Sequence, residues 1–173
     1  MNWLQDNKRL KRLVVGAMLA AASIVLGKYL AITLGPFRVS LENLPVLLAG
    51  ILFGPMAGLI VGVVADLVGC ILVGYVINPI ITLGAGMIGL LSGMIYRMLP
   101  RWQWFKVHYD VQLLLAVAVA HLVGSCLIKT IGLMVYYDYP SDVMWLRIPL
   151  YAMVALYEFL MLQPMVGLLK KRL

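Results

Sequence analysis

Gly35-Pro36-Phe37-Arg38-Val39-Ser40-Leu41-Glu42-Asn43-Leu44-Pro45 opens the stretch that decides the fold of this chain. A long apolar run follows, cut once at Phe53-Gly54-Pro55, carrying Asp66 on a segment rich in small residues, and closing at Ile77-Asn78-Pro79. An arginine therefore leads into lipid-length apolar sequence, and a carboxylate lies inside it. Both are expensive near a bilayer, so the stretch calls for a polar guest or a polar partner.

The rest of the chain has the same character. Of 173 residues, 64% are hydrophobic and only 12% charged, and the mean hydropathy is +0.99. A soluble domain of this size needs far more polar surface. Apolar runs of about 20 residues recur from end to end, the signal of membrane-spanning helices. The alternating segments of about 10 residues that mark barrel strands are missing. The expectation is an all-α membrane protein forming a single integral membrane domain. The basic residues before the first run and the Ala20-Ala21-Ala22-Ser23 stretch resemble a signal peptide. The run continues through Ile24-Val25-Leu26, however, so a retained first helix is expected.

Breakers and caps divide the chain into six helices, about 11–34, 41–53, 55–76, 79–99, 111–136 and 143–169. Gly35-Pro36 ends the first, and 36–40 is read as a loop. Ser40 or Asn43 can cap the second, with Pro45 in its first turn. Asn78-Pro79 reads as a cap followed by proline at the first helical position. The segments 101–110 and 136–142 are aromatic interfacial loops.

The basic residues test the break at Gly54-Pro55. With six helices, both termini and the 97–110 loop share one side. That side holds Lys8, Arg9, Lys11, Arg12, Arg97, Arg101, Lys106, Lys170, Lys171 and Arg172, ten of the 14 basic residues. Fusing the second and third helices would move the last six of these across the membrane. The positive-inside rule therefore favours six transmembrane helices with both termini cytoplasmic. The net charge of +7 is then a topological signal, and nucleic acid is not expected as a partner.

Four cations remain: Lys28, Arg38, Lys129 and Arg147. Counting along the helices puts all four in the outer half or the outer loops, on four different segments. Such a cluster suits an anionic ligand. Lys129 and Arg147 are hardest to explain otherwise, since a cation at a helix centre costs about 2.5–3.5 kcal/mol on the milder scale. Lys28 can instead snorkel outward, and Glu42, Asp138 and Asp142 can neutralise part of the charge. Arg147, Tyr151, Val154 and Glu158 share one face of the last helix, and Ser125, Lys129, Gly132 and Tyr136 form a line on the fifth. Asp66 shares a face with Gly58, Gly62 and Gly69, which places it inside the bundle. It can pair with a cation or accept the donor edge of a ligand ring.

No HExxH, GxSxG or Gly-Lys-Ser/Thr phosphate loop occurs. No catalytic residue, cofactor or metal site is expected: Cys70 and Cys126 are isolated, and His121 reads as a satisfied interior histidine. A pocket without an engine is either a passive conduit or one part of a powered assembly.

The layout resembles the substrate-binding S component of energy-coupling-factor (ECF) vitamin transporters. The likeness rests on size, six helices, the basic N-terminus, Ala17-x-x-x-Ala21 and the polar loop before the second helix. Arg38-Val39-Ser40-Leu41-Glu42-Asn43-Leu44-Pro45, Ala49-Gly50-Ile51-Leu52-Phe53-Gly54-Pro55, Gly58, Gly62, Ala65-Asp66-Leu67 and Asn78-Pro79 resemble the folate branch in particular. The motif likeness covers about residues 11–97, and relatives for pyridoxine or hydroxymethylpyrimidine are similar. The resemblance implies a non-catalytic subunit in the cell membrane that captures folate or a related vitamin from outside. It also implies docking, through Ala17 and Ala21, on a transmembrane scaffold subunit carrying two ATPases, with the loop bearing Arg38 as a lid. Folate's glutamate tail suits Arg38, Lys129 and Arg147 as carboxylate partners. Asp66 or Asn78 suits the pterin edge, Asn78 alongside its cap role, and Tyr75, Tyr136, Tyr139 or Tyr151 suits stacking on the rings, a membrane-interface belt explaining most outer tyrosines equally well. A stand-alone facilitator is the alternative from a different class.

Overall fold

The computed structural model describes residues 3–34, 37–101, 108–140 and 142–170. Gly35-Pro36, the loop at 102–107 with its two tryptophans, Ser141 and the terminal basic residues 171–172 lie outside the described residues, as does the side chain of Arg38.

Helix α1 (Trp3–Ile24) continues as a wider π-helical turn, Val25–Tyr29. The chain then forms a two-stranded antiparallel hairpin, β1 (Ile32–Leu34) and β2 (Phe37–Val39), with Ile32 opposite Val39 and Thr33 opposite Arg38. Here the structure departs from the expected helix to residue 34 and loop at 36–40. Ile, Thr, Phe and Val make up most of these two segments, and β-branched and aromatic residue types favour a pleated strand over a helix end.

Helix α2 (Asn43–Phe53) follows. Its cap is Glu42, with no side-chain cap bond, and not Ser40 or Asn43. Every residue of α2 from Asn43 to Ile51 is buried. A helix apolar on all sides belongs in the middle of a bundle, and α2 packs against α1, α3, α4 and α6. Gly54, at φ 108°, turns the chain into α3 (Pro55–Val73), which ends in a left-handed Gly74. Helices α4 (Pro79–Met98), α5 (Tyr109–Tyr137) and α6 (Asp142–Lys170) complete the bundle. Within α5 the stretch His121–Ile128 is π-helical, and α6 carries Pro149 and Pro164 in its interior.

Among the described residues, five helices are long and apolar enough to cross a membrane, and α2 is a sixth, shorter apolar helix. At 1.5 Å per residue its 11 residues reach about 16 Å, roughly half the hydrocarbon thickness. The outer faces carry large exposed apolar side chains such as Leu13, Met153 and Leu168. Such a surface is costly in water and unremarkable in lipid.

Helices α2, α3 and α4 pack backbone to backbone. A methyl group at Gly89 would overlap the main chain of Gly58, one at Gly62 the carbonyl of Ala85, and one at Gly93 the carbonyl of Gly50. Close approach through small residues substitutes for the hydrophobic drive that lipid does not supply. Gly89→Ala should therefore cost about 1–3 kcal/mol by over-packing. Gly167→Ala, where an added methyl meets nothing, should be neutral or stabilise by up to about 1 kcal/mol. Thermal unfolding in detergent compares them, and equal behaviour of the two would contradict the close contact.

Candidate functional site

At the end of the bundle where the hairpin and the α3–α4 and α5–α6 connections lie, the helices part around a cavity of about 460 Å³. Tyr75, Val76 and Tyr137 at its edge are each about half exposed or more. Its depth is charged. Lys28 at the end of α1, Asp66 on α3, Lys129 on α5, Arg147 on α6 and Glu42 at the start of α2 all line it.

Three of these charges, Glu42, Lys28 and Lys129, have room because a glycine stands beside each. A methyl at Gly27 would sit 2.7 Å from Glu42 Cβ, one at Gly69 2.8 Å from the Lys28 stem, and one at Gly84 2.8 Å from the Lys129 stem. Lys129 is buried, and its ammonium donates to Glu42 Oε1 at 2.7 Å and to Asn43 Oδ1 at 3.3 Å. Glu42 is held from behind, its carbonyl accepting a 2.6 Å bond from Ser23 Oγ on α1. Lys28 Nζ stands 3.6 Å from Asp66 Oδ1, and Thr82 Oγ1 donates to Asp66 Oδ2 at 2.7 Å. Of the two roles open to Asp66, the structure shows pairing with a cation.

Arg147 differs from the lysines. Its side chain is buried, yet its partners are neutral: Nη2 donates to the Ser125 carbonyl at 3.3 Å and to the Tyr151 hydroxyl at 3.1 Å. The guanidinium carbon lies 4.9 Å from the Tyr151 ring centre, within reach of a cation–π attraction. Its Nε has no hydrogen-bond partner among the described residues. Tyr151 in turn stacks on His121, with ring centres 6.1 Å apart. Beneath them His121 Nε2 meets Glu158 Oε2 at 2.6 Å and Nδ1 meets Ser125 Oγ at 3.2 Å. His121 is thus an interior residue with partners on both ring nitrogens.

Lys129, Arg147, Tyr151, Asp66 and Asn78 all line this one cavity. Tyr136 does not. Lys129, Leu133 and Tyr137 descend the i+4 row into the cavity. Gly132 and Tyr136 follow the adjacent row, toward α4. Since α4 starts only at Pro79, Tyr136 one turn beyond Gly132 is half exposed. Tyr137 takes the place expected of it, and Tyr75 and Tyr139 line the cavity too. Asn43 and Cys70 are lining residues that sequence reasoning missed. Asn43 was legible only as a helix start, and Cys70 only as a small apolar residue. For Asn78 the cap explains most of the side chain. Its oxygen accepts from the amides of Ile80 and Ile81 at 3.0 and 3.3 Å, and its nitrogen donates to the Gly132 carbonyl at 2.9 Å.

A family model for the substrate-specific component of ECF transporters matches residues 11–167. The chain belongs to this family. S components are membrane-embedded, bind vitamin substrates and work with an ECF module. Three solved structures are similar in fold. FolT bound with folic acid has a TM-score of 0.66 at 20% identity, over 87% of this chain and 89% of that one. The S component for biotin from an ECF-type ABC transporter reaches 0.71 at 18%, over 93% of both chains. A further bacterial ECF S component reaches 0.64 at 19%, over 94% and 99%. No curated protein matches the sequence.

In this S component Asn78 joins the α4 start to α5, so Asn78→Ala should lower stability by about 1–3 kcal/mol through the lost cap and the orphaned Gly132 carbonyl. Asn78→Ser, which keeps a cap oxygen but cannot span to Gly132, should fall between. Thermal denaturation in detergent ranks the three, and an unaffected alanine variant would show the bonds to be dispensable.

Proposed function

We propose that this S component captures folate in the cavity between its helices and delivers it by docking on a transmembrane scaffold subunit with two ATPases. The observation that carries the reading is Arg147: a buried guanidinium at an aromatic-lined cavity that, among the described residues, bonds only neutral acceptors and keeps Nε without a partner. Such a group is a ready seat for a carboxylate. The cavity volume of about 460 Å³ lies within the range of about 300–1,000 Å³ used for drug-sized ligands. Tyr75, Tyr137, Tyr139 and Tyr151 offer faces to a pterin and its aromatic linker. Asp66, Asn43 and Asn78 offer polar groups to the ring edge, with Lys129 beside them held by Glu42, and Arg38 stands on the hairpin that would act as a lid.

The distribution of lysine and arginine supports six transmembrane segments with both termini cytoplasmic, α2 crossing only part of the thickness by its own length; in the cell membrane the cavity then opens outward. The subunit is non-catalytic, and the ATPase partners power delivery. Ala17 and Ala21 are exposed on α1, small residues on a surface where a helix of another subunit can approach closely. A smaller, less acidic vitamin such as pyridoxine is the second reading. It is favoured by the pairing of Lys28 with Asp66 and of Lys129 with Glu42, which reduces the charge open to a ligand.

Titration of purified protein with folate, biotin, thiamine, riboflavin and pyridoxine discriminates between the readings. Tight binding of folate alone is expected, with no flux into empty liposomes. Preference for pyridoxine, or flux without ATPases, would replace the folate reading with the corresponding alternative. Arg147→Met should weaken folate binding by about 2–3 kcal/mol, the worth of a charge-assisted bond. An unchanged affinity would move the carboxylate seat elsewhere. Ala17→Trp and Ala21→Trp should abolish uptake by the assembled transporter and leave binding by the isolated subunit intact. Equal loss of binding would place that face inside the fold instead.

A further inference from the structure

We propose that Glu42 is a specificity-determining residue. It acts as a built-in counter-ion that withholds Lys129 from the ligand, so that the cavity, as lined by the described residues, presents one uncompensated cation, Arg147, and seats one carboxylate there. The proposal rests on the folate reading for its probe but concerns the charge pattern of the cavity itself.

Three cations and two carboxylates line the described cavity: Lys28, Lys129 and Arg147 against Asp66 and Glu42. They are not scattered. Glu42 lies 2.7 Å from Lys129, and Asp66 lies 3.6 Å from Lys28. Arg147 has no carboxylate in either kind of contact among the described residues, and its buried Nε is without a partner.

Glu42 is not a mobile surface acid that happens to fall nearby. Its carbonyl is bonded to Ser23 on α1, its Cβ and carboxylate lie against Gly27, and the residue after it begins the buried helix α2. Its partner Lys129 has a side chain only 8% exposed. In such surroundings a ligand carboxylate reaching Lys129 must either displace Glu42 or share one ammonium with it, and two carboxylates at that distance repel. A carboxylate reaching Arg147 displaces no charge. Among the described residues the guanidinium is bonded only to neutral groups, the Ser125 carbonyl and the Tyr151 hydroxyl, which is the cheaper arrangement to exchange. Of the two carboxylates on a glutamate tail, one therefore seats on Arg147 and the other stays toward the rim.

The test is a double-mutant cycle on the full chain in detergent, with folate and its two tail mono-amides as titrants. Wild type should bind folate and the better of the two mono-amides within about threefold of each other. Glu42→Gln frees Lys129 and should raise the preference for folate over that mono-amide at least tenfold. A purely structural role for Glu42 would weaken both ligands alike and leave their ratio unchanged, which would overturn the proposal. Lys129→Met leaves Glu42 uncompensated and should weaken folate about 100-fold or more. Adding Glu42→Gln to it should recover binding to within tenfold of wild type. A double variant as weak as Lys129→Met would mean that Lys129 grips the ligand directly, and the proposal would fail. Absence of folate binding by wild type would sink the folate reading separately. The same cycle is then read by melting temperature, where recovery in the double variant supports the counter-ion role and no recovery overturns it.

Discussion

A charge inside an apolar bundle is costly unless something compensates it, and the Lys129–Glu42 pair at 2.7 Å is the tightest ion pair between acid and lysine among the described residues. Removing one member of such a pair is far costlier than replacing both, because the survivor is left uncompensated in a medium of low dielectric. The pair also has an architectural effect. Glu42 heads α2 and is bonded through its carbonyl to Ser23 of α1, while Lys129 belongs to α5. One electrostatic contact thereby joins the first, second and fifth helices around the mouth of the cavity. The short hairpin before Glu42 is held at one end by this contact.

The cavity exists because the helices are packed tightly everywhere else. Glycines on α2, α3 and α4 let three backbones touch, leaving no room for large side chains between them. The same economy of small residues is used differently at the open end. There Gly27, Gly69 and Gly84 make space for Glu42, Lys28 and Lys129. Small residues thus close the lower part of the bundle and provision the upper part. Below the cavity the fully buried Glu158 meets His121, whose other nitrogen meets Ser125, and His121 supports the ring of Tyr151. This polar chain is satisfied on both nitrogens of His121 but not at Glu158 Oε1, which has no partner among the described residues. What stands on it here is Tyr151 and, through it, Arg147.

Membership of the S-component family and the cavity are separate facts that meet in one place. The solved relatives share the fold at about one residue in five. At that distance the backbone is common property and the lining is each protein's own. The side chains that line this member's cavity, among them Glu42, Arg147 and Tyr137, are its own.

The sequence by itself determined the membrane character, the helix breaks at Gly54-Pro55 and Asn78-Pro79, and the identity of the cations that could not be explained by topology. These are local properties: hydropathy sums over a window, proline and glycine act where they stand, and a cap needs only its next three residues. The tertiary structure alone decided how those cations are used. Glu42 and Lys129 are 87 positions apart, and no local pattern says that one will neutralise the other. It also decided that Tyr137 rather than Tyr136 faces the cavity, because that depends on where α4 begins beside α5. The hairpin in place of a loop belongs to the same class. Its strands pair across a turn, and pairing is a contact between segments that helical periodicity cannot register.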